Sequence, residues 1–73
     1  MSRETIVNMG GEGEMKFVTQ QYETGLYVAV YDTVANNLKS QFTSDLTEEE
    51  FHNKLIEDSK KNNFHIKEEN KNG

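Results

Sequence analysis

Leu26-Tyr27-Val28-Ala29-Val30-Tyr31 is the stretch whose reading decides the fold. It is made of aromatic and β-branched residues, which suit a pleated, buried surface. Apolar side chains fall on both alternating sets, as in a strand flanked by paired neighbours on each side. A central strand over Leu26 to Val34 is therefore expected, and its surroundings read as its partners. Met15 to Tyr22 reads as the strand before it, joined through Glu23-Thr24-Gly25, where glycine supplies positive φ. After it, Ala35-Asn36-Asn37 reads as a second turn, because Asn tolerates the left-handed conformation. Leu38 to Thr43 then alternates with strand period. A helix over 33–42, capped by Asp32 and carrying Val34, Leu38 and Phe42 on one face, is the competing reading; the hairpin is preferred.

The helix signal follows directly. Thr47 with Glu50 three residues on makes a capping box, and Leu46 with Phe51 forms the matching hydrophobic staple. Glu48, Glu49 and Glu50 fill the first turn and Lys60 and Lys61 the last, each complementing the helix dipole. Glu50 with Lys54 and Glu57 with Lys61 are spaced i,i+4 in the favourable order. Asn62 or Asn63 supplies the C-terminal cap. Phe51, Leu55 and Ile56 form the stripe expected to be buried. Phe64-His65-Ile66-Lys67 alternates as a short last strand.

The expected fold is α+β: a small antiparallel sheet in the order β-β-β-α-β, with the single helix packed on one face. A three-strand meander feeds the helix, and the last strand should run parallel to a neighbour, most simply Met15–Tyr22. The domain is placed at 15–68. Residues 1–14 are read as a flexible leader, because Gly10, Gly11 and Gly13 lie close together and glycine-rich chain is costly to order. Purine-rich codons for Gly10 to Glu14, directly before Met15, resemble a bacterial ribosome-binding site and suggest a native start at Met15 rather than Met1. Residues 69–73 are read as a disordered tail.

With three-residue loops in both hairpins, Val18, Tyr22, Leu26, Val28, Val30, Val34, Leu38 and Phe42 share the helix-covered face. Met15, Phe17, Thr19, Gln21, Tyr27, Ala29 and Tyr31 then share the other. One helix cannot cover both faces, so Phe17, Tyr27 and Tyr31 form an uncovered aromatic patch. Such a patch marks an interaction surface. Its plainer reading is a set of cross-strand stabilisers with solvated hydroxyls.

Composition bounds the function. The chain has 73 residues, 33% hydrophobic and 29% charged, with no Cys, Pro or Trp. Its mean hydropathy is -0.89. No apolar run approaches the roughly 20 residues of a membrane span, and disulfide or cysteine-ligated zinc frameworks are excluded. Thirteen acids against eight bases leave a net charge of -5, the wrong sign for holding phosphates. Direct nucleic-acid binding is therefore disfavoured, and a protein partner with a basic surface is expected. Residues 1–44 carry 5 acids and 3 bases, and 45–73 carry 8 and 5, so neither part is a polyacidic tail. No secretory signal is evident, which makes a cytoplasmic location the default.

No catalytic constellation is present. His52 and His65 lack metal-ligand spacing and read as exposed, and Thr43, Ser44 and Ser59 have no activating His/Asp arrangement. Gly10-Gly11-Glu12-Gly13 lacks the Lys-Ser/Thr ending of a phosphate loop. The expectation is a non-enzyme with no cofactor and no metal. Very small, cysteine-free, acidic chains of this profile are common among phage and mobile-element accessory proteins that inhibit or regulate a host protein, an analogy of composition only. The expected activity is stoichiometric protein binding, anchored by Phe17, Tyr27 and Tyr31 and steered by Asp45, Glu48 and Glu49. The alternatives are a structural homodimer that buries the aromatic face, and an acidic nucleic-acid mimic that acts through the helix.

Overall fold

The computed structural model describes residues 2–72. It contains five strands, β1 (Ser2–Asn8), β2 (Glu14–Tyr22), β3 (Gly25–Asp32), β4 (Asn37–Ser44) and β5 (His65–Asn72). One helix, α1 (Glu48–Lys61), lies between β4 and β5, and a short 3-10 turn (Gly10–Glu12) joins β1 to β2. The strands form one sheet in the order β4-β3-β2-β1-β5, with every pair antiparallel. The class is α+β, with the expected meander and one helix on one face.

Residues 33–42 form a hairpin, not a helix. Its loop has four residues, Thr33 to Asn36, because Asp32 pairs with Asn37. Asn36 takes φ 55, the left-handed value that its short amide tolerates. The Asp32 carboxylate accepts hydrogen bonds from the backbone N–H of Ala35 and Val34, at 3.1 and 2.9 Å. These bonds, Ala35's first, hold its carboxyl below the ordinary range. That loop is one residue longer than expected, whereas the first hairpin's is one shorter. Tyr22 pairs with Gly25, so only Glu23 and Thr24 turn. Gly25 has φ 147, and a Cβ there would stand 3.1 Å from the Ser44 carbonyl oxygen, so the tight turn requires glycine.

The leader is corrected. Ser2–Asn8 is a strand inside the sheet, between β2 and β5. Arg3, Thr5 and Val7 alternate inward and are buried. The glycines account for the turn alone: Gly10 and Gly13 take φ 68 and 91, and Met9 N–H donates to the Gly13 carbonyl at 2.7 Å. Glycine flexibility is local and does not extend to a neighbouring Thr-Ile-Val run. Met1, also placed in that leader, lies outside the described residues.

The last strand is corrected as well. It runs to Asn72 instead of fraying after 68, and it pairs antiparallel with β1. Its direction still matches that of β2; β1 occupies the slot between them. Gly73 lies outside the described residues.

α1 begins with the expected capping box. The Thr47 hydroxyl accepts from Glu50 N–H at 3.2 Å, and the Glu50 carboxylate accepts from Thr47 N–H at 3.0 Å. Glu48 N–H, another donor of the first turn, is met by the Gln21 side-chain oxygen at 2.9 Å, which pins the helix start to β2. Asn62 caps the other end by donating its backbone and side-chain N–H to the Asp58 carbonyl. The core is small. Leu26, Val28 and Phe51 form its buried centre, with Phe17, Val30, Leu46 and Leu55 packed against them. Nearer β1 the layer is polar: Arg3, Thr5 and Thr19 are buried on the sheet, His52 and Ser59 on the helix. His52 is thus buried, contrary to expectation, and Ile56 is only half-buried.

Deleting residues 1–14 should abolish the β5 ladder, because β1 alone among the described strands joins β5 to the sheet. Amide hydrogen exchange would check this. Backbone amides of 65–72 should lose protection, and retained protection there would contradict the strand order.

Candidate functional site

Strand register sets which side chains share a face. Gln21 pairs with Leu26, Thr19 with Val28 and Phe17 with Val30, so these point toward the helix. Gln20 pairs with Tyr27, Val18 with Ala29 and Lys16 with Tyr31, and these point away. The shorter first turn thus reverses the expected sides of β2, since a one-residue shift exchanges the faces of a strand. Phe17 moves to the helix side, where its ring centroid stands 6.5 Å from that of Phe51. Val18 and Tyr22 move to the uncovered side. On β4, Val28 pairs with Phe42 and Val30 with Ser40, but Tyr31 pairs with Leu38. Lys39 is the extra residue of a bulge, which sends Leu38 to the uncovered face and leaves Phe42 on the helix face. Val34, expected in the core, lies in the loop and is 82% exposed.

The uncovered face is a mixed aromatic and polar surface. Across β1 to β4 it carries Ile6, Lys16, Tyr31 and Leu38 in one row, and Glu4, Val18, Ala29 and Gln41 in the next. Ser2, Gln20, Tyr27 and Thr43 form a third row, with Tyr22 at the corner. The Tyr27 hydroxyl donates to the Gln41 side-chain oxygen at 2.6 Å. The Lys16 ammonium sits 5.4 Å from the centroid of the Tyr31 ring, within cation–π range. Both tyrosine rings are thereby held half-buried against their neighbours. Tyr22 and Leu38 remain 58% and 46% exposed.

Glu14 braces one end of this face. One carboxylate oxygen accepts from the Lys67 ammonium at 2.9 Å and the other from the Thr33 hydroxyl at 3.0 Å. The contacts, Lys67's first, hold the Glu14 carboxyl below its ordinary value. They connect β2, the β3–β4 loop and β5.

The helix side holds a second feature. A groove of about 440 Å³ runs between α1 and the sheet, lined by Val7, Phe17, Phe42, Phe51, Leu55 and Phe64 among others. Phe42 stands 6.2 Å from Phe51 between ring centroids and is 42% exposed at the groove. Asp45 lies just past β4, and Glu48 and Glu49 open α1, with Asp45 and Glu49 exposed. The six expected site residues are therefore divided. Tyr27 and Tyr31 stand together on the uncovered face, while Phe17 and the helix acids lie on the other. The exposed positions missed from sequence are Tyr22, Leu38 and Phe42. Their signal is the Gly25 turn and the Lys39 bulge, neither of which a simple alternation count reveals.

A polar cleft near Arg3, Gln21, Glu48 and His52 lies at the N-terminal end of α1. Among the described residues, no group of three or more His, Cys, Asp or Glu side chains is placed to hold a metal ion. Among the same residues, no helix is long and apolar enough to cross a membrane. No protein-family model, curated protein or solved structure matches the chain.

Replacing Glu14 by Gln tests the brace through pH. A carboxyl whose folded pKa lies below its unfolded value, ordinarily 4.5, stabilises the fold above that value. The contribution fades as pH falls from 4.5 through the depressed folded value. Urea unfolding should show the wild type losing more stability than Glu14→Gln over this window. Parallel losses in the two proteins would mean that the brace is energetically silent.

Proposed function

We propose that this protein is a non-enzymatic binding module that regulates or inhibits a protein partner by stoichiometric association through the uncovered face of its sheet. The observation that carries the reading is the face itself: one side of a five-stranded sheet, with no helix over it among the described residues, and bearing Tyr22, Tyr27, Tyr31, Val18, Ile6 and Leu38 among short polar side chains. Tyrosines supply large contact area at low conformational cost, and serine, threonine and glutamine adapt their hydrogen bonds to a partner. Tyr27 and Tyr31 are already oriented by Gln41 and Lys16, so little freedom is lost when a partner covers them.

The net charge of -5 favours a partner with a basic surface. Glu48 and Glu49, which open α1, lie on the opposite side of the sheet from the tyrosines, and Asp45 is exposed in the connection that leads to them. Their role in this reading is long-range attraction during encounter, not contact at the anchors. A function inside the cell, of the kind served by phage and mobile-element accessory proteins, agrees with the composition.

The test is affinity capture from a lysate of the source cell, using wild type, the Tyr27→Ser/Tyr31→Ser double variant, and a Glu48→Lys/Glu49→Lys variant as baits. The tyrosine variant should weaken retention of the partner by about tenfold or more while keeping the wild-type circular dichroism. The lysine variant should slow capture and leave the bound complex stable. A partner lost only by the lysine variant would instead support a nucleic-acid mimic acting through the helix.

A further inference from the structure

The groove between α1 and the sheet combines aromatic walls with one polar cluster. Phe17, Phe42, Phe51 and Phe64 supply the rings. Asp58, Ser59 and Asn62, at the C-terminal end of α1, supply the cluster. Asn62 follows Asp58 by four positions and Ser59 by three, the spacings of neighbours on one side of a helix. Each of the three has an acceptor to spare. Ser59 is only 5% exposed, yet its hydroxyl meets no hydrogen-bond partner among the described residues. A buried polar group in that state costs free energy until something pairs with it. Asn62 donates its side-chain N–H to the Asp58 carbonyl at 2.8 Å, which leaves its amide oxygen unused among the described residues. The Asp58 carboxylate has no ion pair among the same residues. Spacing gives the reason. Glu50 with Lys54 and Glu57 with Lys61 are set i,i+4 in the favourable order, whereas the residue four past Asp58 is the uncharged Asn62.

We propose that this groove binds a small organic ammonium, with its charged head on Asp58, Ser59 and Asn62 and its apolar body among the phenylalanines. Charge complementarity selects the sign. An ammonium only donates hydrogen bonds, and the cluster offers three acceptors. The cluster sits at the negative end of the α1 dipole, and aromatic ring faces attract cations. The net charge of -5 raises the local concentration of cations. A carboxylate head would meet Asp58 as a like charge. Lys54 also lines the groove, but one turn earlier, where Glu50 is spaced to neutralise it. Size selects a small molecule. A space of about 440 Å³, mostly apolar with a few converging polar groups, has the character of small-molecule sites. The groove lies across the sheet from Tyr27 and Tyr31, so this site stands or falls separately from the protein-binding role of the uncovered face.

Three probes with the same aromatic body and different heads test the proposal: naphthylmethylammonium, naphthylmethanol and naphthylacetate. Each is titrated into the full chain and followed by amide and methyl chemical shifts in NMR. The ammonium should bind on the order of tenfold more tightly than the alcohol, because its hydrogen bonds are charge-assisted. Naphthylacetate should bind most weakly. Shifts should centre on Phe42, Leu55, Ser59 and Phe64. Asp58→Asn, at an exposed position that leaves the fold intact, should bring the ammonium down to the affinity of the alcohol. Ser59→Ala should weaken the ammonium and the alcohol alike, and Lys54→Met should not weaken the ammonium. Absence of saturable shifts with the ammonium would overturn the proposal. So would equal affinities for ammonium and alcohol, an ammonium affinity unchanged in Asp58→Asn, or a preference for naphthylacetate that Lys54→Met abolishes, which would make the groove an anion site.

Discussion

A single helix is about 10 Å wide with its side chains, and five strands about 4.8 Å apart span roughly 19 Å between their outer axes. One helix therefore shields about half of one face of this sheet and none of the other. Much of the rest of the structure follows from that mismatch. The buried apolar cluster is limited to Leu26, Val28 and Phe51, where β3 meets the helix, with Val7 buried separately on β1. Phe42, one strand further out, has a phenylalanine neighbour on one side and water on the other. β4, the strand that carries it, is exposed along nearly its whole length.

The uneven cover sorts the surfaces by chemistry. Where the helix overlies β1 and β2, the interface contains Arg3, Thr19, His52 and Ser59 as well as hydrophobes. Where it does not reach, the groove beside α1 is lined by phenylalanines. The opposite face combines tyrosines with Gln, Ser and Thr, with one short Tyr27–Gln41 hydrogen bond and a Lys16–Tyr31 cation–π contact. Such a surface is wet enough to remain open in a free chain and rigid enough to serve as a contact. The glutamates that open α1 are held apart from it by the thickness of the sheet, so in the proposed binding role charge attraction and aromatic contact would act at different distances.

Local rules read the chain well where a few adjacent residues carry the whole signal. The Thr47–Glu50 capping box, the first-turn glutamates, the Asn62 cap and the β3 strand all follow from neighbours within four residues of one another. They were legible in the sequence for that reason. The meander around β3 was legible too, because two turn signals bracket an unmistakable central strand. β1 was not, although Thr5-Ile6-Val7 is good strand sequence, because the adjoining glycines suggested mobility and its partners lie far along the chain. Ser2 pairs with Gln20 on one side and Asn72 on the other. No local pattern contains that information.

The candidate site shows the same division. The sequence by itself determined that Tyr27 and Tyr31 share one side of a central strand, since alternation along β3 requires it. It also determined that a lone helix would leave one side of the sheet bare. Only the tertiary structure decided which residues join the tyrosines there. Side-chain period in a strand is two, so one residue more or less in a turn exchanges whole faces. Gly25 closing a two-residue turn sent Phe17 to the helix and Val18 to the open side, and the Lys39 bulge separated Leu38 from Phe42. Those choices rest on the clearance between Gly25 and the Ser44 carbonyl and on how the helix settles against Phe17 and Phe51, contacts between residues remote in sequence and joined only by the fold.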